Sequence, residues 1–151
     1  MTSTSALTGT RGTATLGRRA LAGVIGGVAG GIMFGILMAM MGMLPVIASM
    51  VGSTSPVVGF IIHIGMSIMI GLGLTVLFGN LLLTSYPRGL VVGMGYGAVW
   101  WVLGPLMVMP MMFGMPLFAI DTTALFSLMG HLIYGAILGI VAVRILKHRR
   151  G

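Results

Sequence analysis

Apolar residues run through this chain in four long blocks, at about 20–43, 57–82, 89–112 and 123–146, with little polar interruption. Each block approaches the ~20 residues a helix needs to cross the hydrocarbon core of a bilayer. From Ala20 to Pro87 there is no Asp, Glu, Lys or Arg. A soluble fold would have no polar surface with which to cover such a run. The pattern therefore predicts lipid as the solvent and α-helix as the structure, since helices satisfy their own backbone groups in hydrocarbon. Residues 1–17 are rich in Thr, Ser and Gly, lack apolar periodicity, and predict a short disordered tail. The Arg18-Arg19 pair ahead of an apolar run has the look of a secretory signal, whose hydrophobic region is only about 7–15 residues long. Here apolar character continues to about Met43, which predicts a retained first helix.

The connections differ between the two ends of the helices. Tyr86-Pro87-Arg88 reads as a tight turn: Pro ends a helix, Tyr suits the interface and Arg anchors. On the other side, residues 44–52 and 111–120 are almost as apolar as the helices, yet they contain Pro45 and Pro116, with Pro110 just ahead of the second. These two segments are expected to lie in the outer interface or to dip in against protein.

Small residues recur four apart in every block. The first has Gly23, Gly27, Gly31 and Gly35, with Gly26 and Gly30 alongside; the second has Gly59, Ser67, Gly71, Thr75 and Gly79, with His63 in the remaining place. Gly89, Gly93 and Gly97 stand in the third, and Thr123, Ser127, His131, Gly135 and Gly139 in the fourth. Lipid gives helices no hydrophobic reason to associate, so they need close backbone approach, which small residues permit. The chain also matches itself. Phe60–Gly71 lies over Leu128–Gly139, pairing His63 with His131 and Gly71 with Gly139, while Arg18, Gly23 and Gly27 pair with Arg88, Gly93 and Gly97. Each half is then a two-helix hairpin inserted in the same direction, a parallel repeat about an axis along the membrane normal. The expected fold is an all-α membrane four-helix bundle made of two tandem hairpins, occupying residues 18–147 as one domain.

Composition agrees: 58% of residues are hydrophobic and 6% charged, against about 25% charged in a typical soluble domain. The net charge of +7 suggests nucleic acid until the basic residues are placed. Arg11, Arg18 and Arg19 precede the first block, Arg88 separates the second and third, and Arg144, Lys147, Arg149 and Arg150 close the chain. This is the positive-inside distribution, which puts both termini in the cytoplasm and leaves no folded basic platform for nucleic acid. With no cysteine, thiolate metal sites, disulfides and thiol catalysis are excluded.

His63 and His131 sit on the small-residue stripes, roughly two turns in from the outer side, and so point at other helices. A polar group at that depth needs a partner and is a functional candidate by default. The plainer reading is a neutral imidazole bonded to a backbone carbonyl or to Ser67, Ser127 or Tyr134. The sharper one is bis-histidine ligation of haem b, two imidazoles at matched depth with glycines leaving room for a macrocycle. His148 falls in the basic end, 148–151.

The chain is methionine-rich, with 16 Met. Met38, Met40, Met41, Met43 and Met50 form one cluster, and Met107, Met109, Met111, Met112 and Met115 another, both at the outer ends of the first and third blocks. Soft thioethers near imidazole suit copper(I), so the clusters outline a candidate metal path; equally, Met is a flexible filler of irregular apolar space. Trp100 and Trp101 fall in mid-helix with Tyr96 nearby, placed either to line a small cavity or to fill the volume opposite glycines. Asp121, the only acid, stands where it would cap the fourth helix. One carboxylate rules out paired-carboxylate chemistry, and neither a nucleophile elbow nor a phosphate loop is present.

From about Phe60 to Arg144 the chain resembles the YagU-type family of small bacterial inner-membrane proteins. The residues that carry the resemblance are His63 with Ser67-Ile68 and Gly73, Tyr86-Pro87-Arg88, Gly97, Pro105-Leu106-Met107 and Gly130-His131-Leu132. The resemblance implies a bacterial cytoplasmic membrane, inward-facing histidines and an association with acid resistance; members carry a longer, more polar outer segment than this chain. The expected function is non-enzymatic: a protein in the bilayer working through helix contacts, as a homo-oligomer or an accessory subunit of a larger membrane complex. The alternatives are a small transporter or channel for protons or soft metal ions, and a haem-binding protein.

Overall fold

The computed structural model describes residues 14–147; the predicted tail up to residue 13 and the basic end 148–151 lie outside the described residues. The chain is helical, with no strand among the described residues. In order come α1 (Leu16–Met40), the short α2 (Leu44–Ser49), α3 (Pro56–Leu81), α4 (Tyr86–Phe113) and α5 (Thr122–Lys147). Four of these, all but α2, are long and apolar enough to cross a membrane. The chain is a multi-pass membrane protein.

Local chemistry sets where the helices begin and end. The Thr15 hydroxyl accepts from the Arg18 N–H, and the Ser85 hydroxyl from the Arg88 N–H, each at 3.4 Å; a carboxylate oxygen of Asp121 accepts from the Ala124 N–H at 2.7 Å. Such caps answer N–H groups that the first turn leaves without a carbonyl. Thr15 thus starts α1 at Leu16, ahead of the apolar run, so Leu16 and Gly17, expected in the tail, are helical together with Arg18 and Arg19. The outer ends of α1 and α4 close alike. Gly42 and Gly114 take left-handed backbone, at φ 68° and 64°, and the next N–H reaches back, Met43 to the Met38 carbonyl and Met115 to that of Pro110, both at 2.9 Å. Glycine is the residue that enters this conformation without a Cβ penalty.

Two of the long helices carry a π-helical turn. In α4 it spans Gly104–Val108, where Pro105 lacks an N–H and its ring crowds the carbonyl four residues back; widening the turn relieves both. In α3 it spans Gly73–Leu77. There the Tyr96 hydroxyl donates to the Ile70 carbonyl at 2.9 Å and the Thr75 hydroxyl to that of Gly71 at 3.0 Å, both competing with the regular ladder.

Helix α1 is the centre of the packing. One glycine row lies on α3: a Cβ at Gly27 would sit 2.6 Å from the Ser67 carbonyl oxygen, one at Gly31 2.8 Å from the Ser67 side chain, and one at Gly71 would run into the Gly23 carbonyl. A second row lies on α5, where a Cβ at Gly26 would stand 2.8 Å from Leu138 and one at Gly30 2.8 Å from Tyr134. Helix α4 packs on α5 by a single row, in which Gly93 and Gly135, and Gly89 and Gly139, abut so closely that a Cβ on either meets the other's carbonyl. The long helices therefore meet in the order α3, α1, α5, α4, with α1 the most buried and α4 the least.

The two outer connections part company. The first dips in against protein: Leu44, Ile47 and Ala48 of α2 are buried, and a Cβ at Gly59 would run into the Leu44 carbonyl. The second does not, for residues 111–120 are exposed throughout.

Candidate functional site

The two histidines come to one place, and a residue that sequence reading did not single out lies between them. His63, on α3, is buried, and its Nε2–H donates to the Gly31 carbonyl of α1 at 3.0 Å. His131, on α5, donates from Nδ1 to the Ser127 carbonyl one turn back in its own helix, at 2.8 Å; the Ser127 hydroxyl stands off at 3.4 Å. Carbonyl oxygens only accept, so these bonds set which nitrogen carries the proton. Each neutral ring keeps one lone pair, on Nδ1 of His63 and Nε2 of His131, without a hydrogen-bond partner among the described residues.

Phe34 of α1 packs edge-on against both rings, its centroid 5.2 Å from His63 and 4.7 Å from His131. It fits there because Gly130 has no side chain: a Cβ at that position would run into the phenyl ring. The imidazoles thus bracket a buried hydrocarbon ring rather than an open slot. A flat macrocycle ligated by both would have to displace Phe34, so the arrangement does not fit haem.

Ser67 and Tyr134 join the layer in a different way. The Tyr134 hydroxyl donates to the backbone carbonyl of Ser67 at 2.6 Å, tying α5 to α3 beside α1, while the Ser67 side chain lies under Gly31. Neither bonds to an imidazole. Trp101 fixes the start of α5, its indole N–H donating to the Ala124 carbonyl at 2.8 Å. Trp100 stacks edge-on against Tyr96 at 6.2 Å.

The methionines divide between interior and surface. Met38 is buried in the core, and Met43, Met50 and Met109 pack against it. Met41 and Met107 are half-buried, whereas Met40, Met111, Met112 and Met115 project outward, Met40 with 80% of its surface exposed. The sulfurs of each cluster thus face in different directions instead of lining one passage. Among the described residues no three His, Cys, Asp or Glu side chains gather as a metal-binding group, so a soft-metal site would have to combine imidazole with thioether.

The glycines singled out by spacing, Gly23, Gly27, Gly31, Gly35, Gly71, Gly93, Gly97, Gly135 and Gly139, all stand at contacts between helices. Asn80 was not foreseen. Its side-chain amide brackets Ala14, accepting from the Ala14 N–H at 2.9 Å and donating to its carbonyl at 3.2 Å, and so moors the entry to α1 on the end of α3. A lone Asn in an apolar helix was the available signal, since an amide at membrane depth needs partners. No protein family, curated protein or solved structure matches the chain.

Proposed function

We propose that this chain is a non-enzymatic membrane protein that works through helix contacts, as an oligomer or an accessory subunit of a larger membrane complex. The observation that carries the reading is the use to which intramembrane polar groups are put. His63, Tyr134, Tyr96, Trp101, Thr75 and His131 each give a donor to a backbone carbonyl of this same chain, leaving little polar chemistry for a substrate. Outside, large apolar side chains of α3 and α4 are exposed, and Gly65 and Gly95 face open space, surfaces suited to further helices. Extraction in a gentle detergent followed by native mass measurement is expected to return an oligomer or a bound partner; a clean monomer would overturn the proposal.

Within it, the four long helices are two copies of one hairpin. Supporting this are the matched caps at Thr15 and Ser85, the matched glycine ends at Gly42 and Gly114, and the glycine contacts of α1 with α3 and α4 with α5. The described basic side chains, Arg18, Arg19, Arg88, Arg144 and Lys147, stand at one end of the helices, which supports a cytoplasmic position for both termini in a bacterial inner membrane.

A second reading, transport of protons or a soft metal ion, is favoured by the unshared lone pair on Nε2 of His131 with Met38 and Met43 in the nearby core. Flux into proteoliposomes decides it: the double His63→Ala, His131→Ala protein should lose conductance, and unchanged flux removes the reading.

A further inference from the structure

Charge of one sign is concentrated where α1 and α4 begin and α3 and α5 finish, and among the described residues no acid stands beside it. Arg18, Arg19, Arg88, Arg144 and Lys147 stand at this end, while the single acid, Asp121, caps α5 at the other. The four helix ends meet there. The Arg18 guanidinium donates through Nη2 to the Ile145 carbonyl near the end of α5, and that of Arg19 through Nη1 to the Val76 carbonyl of α3 at 2.6 Å. Two adjacent guanidiniums are thereby splayed apart, one onto the last turn of α5, where the negative end of the dipole favours a cation, the other onto the π-helical turn of α3.

Neither guanidinium is filled by these bonds. Arg18 keeps Nε and Nη1, and Arg19 keeps Nη2, without an acceptor among the described residues, while Nε of Arg19 is buried and unpartnered. Guanidinium N–H groups left free in this way can donate to the oxygens of a phosphate. Arg88 and Arg144 are exposed nearby, and the Lys147 ammonium lies 5.2 Å from the centre of the Tyr86 ring. Beside the arginines the surface turns apolar at once, with Leu21 of α1 and Leu77 of α3 exposed. Phosphate-binding donors directly above a hydrocarbon-facing wall match an amphiphile, with its head at the arginines and its chains along the helices.

We propose that Arg18 and Arg19 seat the phosphate of an anionic phospholipid, with Arg88, Arg144 and Lys147 supplying the surrounding attraction. A basic cluster at the ends of membrane helices recruits anionic headgroups electrostatically, and here two guanidiniums already anchored to neighbouring helices give it a fixed position.

The full chain is reconstituted in nanodiscs of phosphatidylcholine alone, or of phosphatidylcholine mixed with phosphatidylglycerol, and the retained lipid is read by native mass spectrometry. Wild type is expected to hold phosphatidylglycerol on the order of tenfold over phosphatidylcholine at equal abundance, since several basic residues act together. The double variant R18Q/R19Q should fall to near parity, while R88Q keeps most of the preference. If R18Q/R19Q does not fold, R18K/R19K retains the charge but removes the guanidinium donors, and its preference should still drop several-fold. Equal retention of the two lipids by wild type overturns the proposal, as does R88Q losing as much as the arginine pair. Stabilisation of the phosphatidylcholine sample by millimolar inorganic phosphate, equal to that given by phosphatidylglycerol, would transfer the site to a soluble anion.

Discussion

Helices α1 and α3 meet α5 and α4 at two joints, and the two are built differently. Where α1 lies on α5 the backbones close up through Gly26 and Gly30, which face Leu138 and Tyr134. Where α4 faces α3, the hydrogen bond from the Tyr96 hydroxyl to the Ile70 carbonyl bridges the helices, and a Cβ at Gly73 would come within 2.8 Å of that same hydroxyl. The offset that carries Arg18 onto Arg88 carries Gly26 onto Tyr96 and Gly30 onto Trp100; the one that carries His63 onto His131 carries Ile70 onto Leu138. On the proposed repeat the two joints use corresponding positions, with the hydrogen of Gly26 at one and the ring of Tyr96, backed by Trp100, at the other. We propose that side-chain size at these places decides whether a joint is closed by backbone contact or held apart by a ring.

The exchange can be broken from the closed side. Gly30→Trp puts into α1 the residue that α4 carries, at a site where even a Cβ would stand 2.8 Å from Tyr134. The expected cost is more than about 4 kcal/mol, because overpacking here separates α1 from α5 along its length. Monodisperse yield and thermal unfolding in micelles would show it; the converse Trp100→Gly, at a half-buried site, should be mild. A Gly30→Trp protein as stable as wild type would mean that the α1–α5 joint is not closed by glycine.

Phe34 tests the same joint at the histidine layer. Phe34→Ala empties a buried site touching His63, His131 and Gly130, at an expected cost of about 3 kcal/mol. The two histidines should then differ from each other. His63→Ala removes a bond between helices, for a loss of about 1–2 kcal/mol. His131→Ala removes one within a single helix, and less than about 1 kcal/mol should follow. Unfolding curves for the pair give the order directly, and equal losses would deny the distinction.

What the sequence made legible follows from what is periodic in it. Apolar blocks and small residues four apart predict the spans and the faces that touch, because spacing along a helix is spacing on its surface. The positions of His63 and His131 on those faces follow from the same rule. Phe34 could not be placed this way: it is one more apolar residue in an apolar helix, and its role depends on Gly130 lying opposite, a fact of tertiary packing. The partners of Tyr134, Tyr96 and Trp101 were hidden for a related reason. Backbone carbonyls are present at every residue, so composition cannot say which one a buried donor will choose. Arg18 and Arg19 were legible as charge, but their reach to the end of α5 and to the π-helical turn of α3 required the neighbouring helices to be in place.

The open joint gives the smallest and most discriminating test. Tyr96→Phe keeps the ring that holds α4 off α3 and deletes only the hydroxyl bonded to the Ile70 carbonyl. Interhelical hydrogen bonds in membrane proteins contribute about 0.6 kcal/mol on average, since the separated helices find other partners. A loss of that size is expected, read as a small fall in the unfolding midpoint with the protein's mass in detergent unchanged. Tyr96→Gly, by contrast, removes the spacer together with the bond and restores the small residue that α1 carries at the corresponding place. If ring size is what keeps the joint apart, Tyr96→Gly in a Trp100→Gly background should let α4 approach α3. A cross-link between cysteines placed on those two helices should then form faster than in the parent. A cross-linking rate unchanged by both substitutions would mean that the joint is held open by the α4–α5 glycine contacts rather than by the aromatic pair.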